Sequence, residues 1–285
     1  MAATRAACFA RPRVELLVLP GLLIIVTLFL YPLVSLVGIS VYEKGDWTLR
    51  HYQRLIDVPA YVRVLQRTLV MGAATAFFCL LLGYPLAYRI ATTSGRVRAA
   101  LIAGILVPFW TSLLVRTYGW MVMLNPQGIL NKALISTGVL DSPLILINNT
   151  TGVLIGMTQI MLPYMVLPIV AVMVRLDPAL MRAARILGAG PVRAFLRIYL
   201  PLTLPGIMAG VLLVFTISLG FFVIPALLGG TKDILLAQLV EVNINSTLNW
   251  GLAAALSTLL VVTTLLLYAI AHRYFRVSAL WGDIR

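Results

Sequence analysis

Carboxylates are scarce in this chain: nine aspartates and glutamates stand against 22 lysines and arginines in 285 residues. None of the nine lies within a long apolar run, which argues against the intramembrane acids and coupling-ion site of a secondary transporter. Cysteine is rarer still. Cys8 sits in a basic N-terminal tail and Cys79 inside an apolar run, so no disulfide framework or thiolate metal site is supported. The two histidines, His51 and His272, are far apart in sequence, and no cluster of His, Asp, Glu or Cys offers the site of a membrane-bound enzyme. A Gly-x-x-x-x-G-K-[ST] phosphate loop is missing, as is any Gly-Lys dipeptide, so nucleotide must be bound elsewhere. No cofactor or metal is expected, and no internal repeat, low-complexity tract or hydrophilic domain interrupts the pattern.

What the chain has in abundance is apolar surface. Hydrophobic residues make up 61%, charged residues 11%, and the mean hydropathy is +1.00. That leaves too little polar surface to cover a water-soluble globule, so lipid is the main solvent. A net charge of +13 in a soluble protein would suggest nucleic acid. Here the basic residues gather at the ends of apolar runs, which makes them a topology signal and argues against a nucleic-acid partner.

Six runs are long enough to cross a hydrocarbon core of about 30 Å. They cover roughly Leu16 to Val41, Val64 to Ala91, Ala99 to Leu124, Thr151 to Val174, Leu204 to Leu228 and Gly251 to Ala271. The first follows Arg5, Arg11 and Arg13 like a secretion signal, but it is too long for one and reads as a retained span. The fold class is therefore an all-α integral membrane protein with six transmembrane helices. Arginines at 89, 96 and 98, from 175 to 197, and at 273, 276 and 285 mark the cytoplasmic side, with both termini on it. Prolines within the spans, among them Pro32, Pro85, Pro108, Pro163, Pro168 and Pro225, suit either ordinary packing or a bundle with an internal pathway. Gly206 and Gly210 form a small-xxx-small pair suited to close helix contact.

The most patterned connection reads DPALMRAARILGAGPVRAFLRIYLPLTLP, Asp177 to Pro205. Asp177 and Pro178 open a helix that Gly188, Gly190 and Pro191 stop, and a second short helix is expected from Val192 to Ile198. Such a hairpin at the membrane face suits a partner's groove, or anchors on anionic lipid through its arginines.

Ala183, Ala184, Gly188, Ile198, Leu200 and Pro201 resemble the E-A-A, Gly, I-x-L-P signature of the inner-membrane permeases of ATP-binding-cassette (ABC) importers. The resemblance extends from about Tyr61 to Ala271. PFWTSLLVRTYGW (Pro108 to Trp120), GMTQIMLPYMVLP (Gly156 to Pro168) and GFFVIPALLGG (Gly220 to Gly230) look like spermidine and putrescine permeases. The resemblance implies a type I ABC importer permease fold over residues 61–275, with a coupling loop at about 175–203. Residues 1–60 would supply a tail, first span and outer loop, and 276–285 a cytoplasmic tail. It further implies a bacterial inner-membrane location and, as partners, a second permease subunit, two cytoplasmic ATPase subunits and an extracytoplasmic substrate-binding protein. Arg182, Ala183, Ala184, Gly188, Ala189, Pro191, Ile198 and Pro201 would dock the ATPase. Arg182 replaces the usual glutamate, so the facing residue of the partner must differ.

Cargo by the same resemblance is a polyamine, with an opine-like amino acid derivative, a phosphonate or ferric ion as alternatives. Arg116 is the one ionisable residue deep in a span, a pathway candidate unless it snorkels at the outer interface. Trp110, Tyr118 and Trp120 could stack on an organic cation or form an interfacial belt. Asp233 and Glu241, in the outer connection between the last two spans, are the nearest carboxylates to a pathway, or else solvated loop charges.

Overall fold

A computed structural model describes residues 14–43 and 45–275. The basic N-terminal tail with Arg5, Cys8, Arg11 and Arg13, and the tail 276–285, lie outside the described residues, as does Lys44.

The described residues open with α1 (Val14–Ile25), a π turn (Val26–Leu30) and α2 (Tyr31–Val41). A small hairpin follows, β1 (Tyr42–Glu43) antiparallel to β2 (Asp46–Trp47), then α3 (Arg50–Asp57) and the 34-residue α4 (Pro59–Thr92). Next come α5 (Gly95–Leu106), a 3-10 turn (Val107–Trp110), α6 (Leu113–Leu124), α7 (Ile129–Ser136) and α8 (Thr150–Met173). The rest is α9 (Pro178–Ile186), α10 (Pro191–Ala194), a second π turn (Phe195–Tyr199), α11 (Leu200–Leu219), α12 (Val223–Leu228), α13 (Leu236–Asn245) and α14 (Trp250–Phe275).

Among the described residues five helices are long and apolar enough to cross a membrane: Leu19–Val41, Pro59–Thr92, Thr150–Met173, Pro191–Leu219 and Trp250–Ile270. The sixth expected span is not a straight helix. Between Gly95–Trp110 and Leu113–Ser136 the axis turns by 102°. Thr111 ends the 3-10 turn by donating both its backbone N–H (3.2 Å) and its hydroxyl (2.7 Å) to the Pro108 carbonyl, and Thr111 and Ser112 are extended. Irregular backbone at membrane depth is tolerated only against protein or a wet cavity.

The fifth span also differs from expectation. It runs Pro191–Leu219, starting well before Leu204, and breaks at Gly220 before α12. Val192 to Ile198 is thus no separate interfacial helix but the first turns of this span. Its continuity through Pro201 has a local cause. The π turn places Leu200 N–H on the Phe195 carbonyl, five residues back, and the wider turn relieves the clash of a proline ring with the carbonyl at i−4. The same device recurs ahead of Pro32, where Tyr31 N–H bonds the Val26 carbonyl. Pro20, Pro85, Pro163, Pro168 and Pro205 also remain inside helices.

Helices α4, α8 and α11 pack on one another and form the main core, with Met157, Met161, Met165, Ile169 and Val214 fully or almost fully buried. Small residues let the backbones approach. A Cβ on Gly206 would lie 3.0 Å from the Pro168 carbonyl oxygen and Ile169 Cα, and Gly83 faces Met165 and Val166 at 3.2 Å. The expected small-xxx-small contact at Gly206 and Gly210 is therefore made, against α8. A second cluster joins α3, α13 and α14 around Leu55, Leu236, Leu252 and Leu256. The first span touches the rest mainly where α2 lies on α14, and its residues from Leu19 to Leu30 are exposed, as a lipid-facing helix requires.

Candidate functional site

Helix α4 measures roughly 51 Å at 1.5 Å per residue and fixes the two ends of the bundle. Arg63 and Arg67 lie at its start, Tyr84 and Tyr88 near its finish. From Arg67 to Tyr88 is about 32 Å, one hydrocarbon thickness. The hairpin expected to dock a partner is at the Tyr88 end.

Asp177 caps α9, its Oδ1 accepting the Ala179 N–H at 2.8 Å, and Pro178 occupies the first turn, where a missing N–H costs nothing. The helix ends at Gly188. Gly188 N–H bonds the Arg185 carbonyl and Ala189 N–H the Ala184 carbonyl, both at 3.0 Å, and Gly188 has φ +83°. This is the Schellman pair of bonds, which needs a left-handed residue at 188. Gly190 caps α10 with Pro191 in its first turn. Ala184 and Ala194 are buried where α9 folds back on α10, while Arg182 and Ala183 face out and Ala189 is half-buried. At the tip, Ile186 and Leu187 are 85% and 86% exposed. Arg182 has no hydrogen bond or ion pair among the described residues.

Below the hairpin an aromatic cluster ties it to α4. Phe195 meets Tyr84 and Tyr88 edge-on, with ring centroids 6.1 and 5.8 Å apart. Tyr199 stacks on Phe195 at 5.7 Å and meets Tyr88 at 5.4 Å. The Tyr84 hydroxyl shares a hydrogen bond with that of Thr203 at 3.2 Å. Ile198 and Tyr199 face a cavity of about 420 Å³ with Tyr88, Asp177 and Arg185 on its wall. Sequence reasoning did not single out these aromatics. The signal was present: Tyr84 and Tyr88, like Phe195 and Tyr199, are one helical turn apart.

The suggested pathway residues sit in different surroundings. Trp110 is 89% exposed at the bend, and Tyr118 is exposed on α6. Trp120 turns inward, its Nε1–H donating to Gln159 Oε1 on α8 at 3.3 Å. No ring contact joins Trp110, Tyr118 and Trp120 among the described residues. Arg116, one turn past the bend, is half-buried, and its Nε is inaccessible and unpaired among the described residues. Asp233 is built into its loop, Oδ1 accepting the Thr150 hydroxyl and Oδ2 the Gly230 N–H at 2.9 Å. Glu241 lies on α13, accepting from Asn245 at 3.1 Å. Inside the core the hydroxyls of Thr75, Thr158 and Ser218 are buried and unpaired among the described residues. With Gln159 they are polar groups that the sequence reading passed over. No group of His, Cys, Asp and Glu among the described residues could hold a metal ion.

The family model described as binding-protein-dependent transport system inner membrane component matches residues 16–278. The chain belongs to this family. The spermidine/putrescine transport system permease protein PotB of Escherichia coli (strain K12) is 39% identical over 263 residues, 92% of each chain. The inner membrane ABC transporter permease protein YdcU of the same organism is 30% identical over 82% of this chain and 78% of its own. Among solved structures, a bacterial alginate ABC transporter in complex with an alginate-bound periplasmic protein superposes with a TM-score of 0.73. The match covers 91% of this chain and 92% of that one at 18% identity, a likeness of fold. The protein is a permease subunit of an ABC importer with the type I permease fold, an inner-membrane transport component and not itself an enzyme.

Proposed function

We propose that this permease imports a polyamine, spermidine or putrescine. It would do so with a sister permease, two cytoplasmic ATPase subunits and an extracytoplasmic binding protein. The observation that carries the cargo is the 39% identity to PotB sustained over 92% of both chains. The alginate transporter seen with its periplasmic protein supports the delivery partner.

The 175–203 segment is the ATPase-docking element, and its end of the bundle is cytoplasmic. Two observations support this reading. In the connections at that end Arg89, Arg96, Arg98, Arg175, Arg182, Arg185, Arg193 and Arg197 face one carboxylate, Asp177, which is the charge bias of a cytoplasmic face. Ile186 and Leu187 project from a capped, rigid hairpin that has no apolar cover of its own, as a knob for a partner's cleft does. Arg182 is free to pair with an acidic residue of that partner. Hydrolysis in the ATPases moves the hairpin, and the aromatic cluster passes the movement to α4, switching the bundle between inward and outward access as rigid bodies.

No carboxylate along the spans is available to hold a cation, so cargo selection rests with the binding protein. Calorimetry of the binding protein encoded beside this gene tests the cargo: micromolar spermidine or putrescine binding is expected, and no binding would refute it.

A further inference from the structure

Opposite the hairpin, the bundle ends in positive charge that no ion pair balances among the described residues. Arg63 and Arg67 are one turn apart on the first turns of α4, both exposed. The loop after α12 brings Lys232 beside them, held there because the Arg67 guanidinium donates to the Lys232 backbone carbonyl. The three, with Gln66, Thr150 and Asp233, line an open cavity of about 490 Å³. Asp233 is the only carboxylate among the described residues that line it, and both of its oxygens already accept hydrogen bonds, from Thr150 and from Gly230. That carboxylate fastens the loop to the start of α8 and offers little to balance the neighbouring cations. None of Arg63, Arg67 and Lys232 makes an ion pair among the described residues.

The position narrows what this charge serves. The cavity is bounded by α4 and the first residue of α8, two helices of the main core, and no residue of the lipid-facing first span lines it among the described residues. A cationic cargo approaching such a mouth alone would be repelled. It must arrive already neutralised, in a carrier whose cleft is edged with carboxylates, and a fixed basic cluster attracts and orients such a carrier.

We propose that Arg63, Arg67 and Lys232 form the docking point for an acidic lobe of the extracytoplasmic binding protein. This rests on the reading above that the cluster lies on the outer face and that a binding protein delivers a cationic cargo.

The test uses the whole transporter, with sister permease and ATPases, in lipid nanodiscs. The readout is the concentration of cargo-loaded binding protein that half-maximally stimulates ATP hydrolysis. Arg63→Glu and Lys232→Glu are the variants of choice, because neither side chain makes a hydrogen bond among the described residues. The double variant is expected to raise the half-stimulating concentration about tenfold or more with the maximal rate unchanged. For the unaltered transporter this concentration should rise as ionic strength goes from about 0.05 to about 0.3 M, and the double variant should flatten that dependence. An unchanged half-stimulating concentration would overturn the proposal. A lower maximal rate at unchanged half-stimulation would also overturn it, since that marks a pathway role. A shift seen only with anionic lipid would reassign the cluster to headgroups. Labelling of a Lys232→Cys variant by a membrane-impermeant thiol reagent separates the premises: labelling in intact cells supports the outer placement, and labelling only after permeabilisation overturns it. The calorimetric test reads the charge of the cargo separately from the docking measured here, so failure of one is distinguishable from failure of the other.

Discussion

Gly210 lies against Met165, so close that a methyl group added to it would come within 2.8 Å of the sulfur and 3.0 Å of the carbonyl oxygen. The contact fixes the separation of α11 from α8, and the methionine backbone cannot retreat without moving its helix. Gly210→Val is expected to cost about 1–3 kcal/mol by overpacking and to lower the yield of folded permease several-fold. Gly21, with nothing within 4 Å, should accept the same substitution with little loss. Membrane abundance and thermal stability of the purified protein check the pair.

Gly188 has open space around the missing side chain, so only its backbone conformation resists change. A β-branched residue there pays for a left-handed φ, whereas asparagine tolerates it better. Gly188→Val should leave insertion intact and abolish most ATPase-driven uptake, and Gly188→Asn should retain much of it. Transport at full expression by the valine variant would remove the hairpin from the coupling role.

Ile186 and Leu187 make the knob of the hairpin. Replacing both with aspartate should not disturb folding, since both already face solvent. It should abolish co-purification of the ATPase subunits. Arg182→Glu should weaken the same association several-fold, and a matching acid-to-lysine change in the ATPase should restore it. Undiminished co-purification of either variant would mean that the partner binds elsewhere.

Trp120 and Gln159 join α6 to α8 through one hydrogen bond. Trp120→Phe leaves the Gln159 carbonyl without that donor, a cost of about 1–2 kcal/mol, and should lower the melting temperature of the purified permease by a few degrees. Gln159→Leu should lower it by less than Trp120→Ala, which also empties the space of the indole.

The spans were legible because a bilayer dictates helix length and leaves few alternatives. The Gly188 turn was equally plain, since Asp-Pro at one end and Gly at the other are local signals that local bonds satisfy. The bend at Thr111 and Ser112 was not. Pro108 reads like Pro85 or Pro163, and what differs is that Thr111 bonds back to its carbonyl while the other two continue as helix. The fifth span began earlier than expected because a π turn carries it past Pro201, and nothing in the residue pattern marks a π turn. Asp233 looked like a loop charge because its partner Thr150 is 83 positions away. Long-range pairing of that kind leaves no trace in neighbouring residues.

Helix α4 carries the basic mouth on its first turns and the tyrosines beneath the hairpin on its last, with no break between them. Pro85 lies between the two ends without interrupting the helix, so a displacement of one end is carried towards the other along a continuous backbone. On the proposed orientation, arrival of a partner outside and a pull from the motor inside would be felt as one tilt, in step and without a messenger in between.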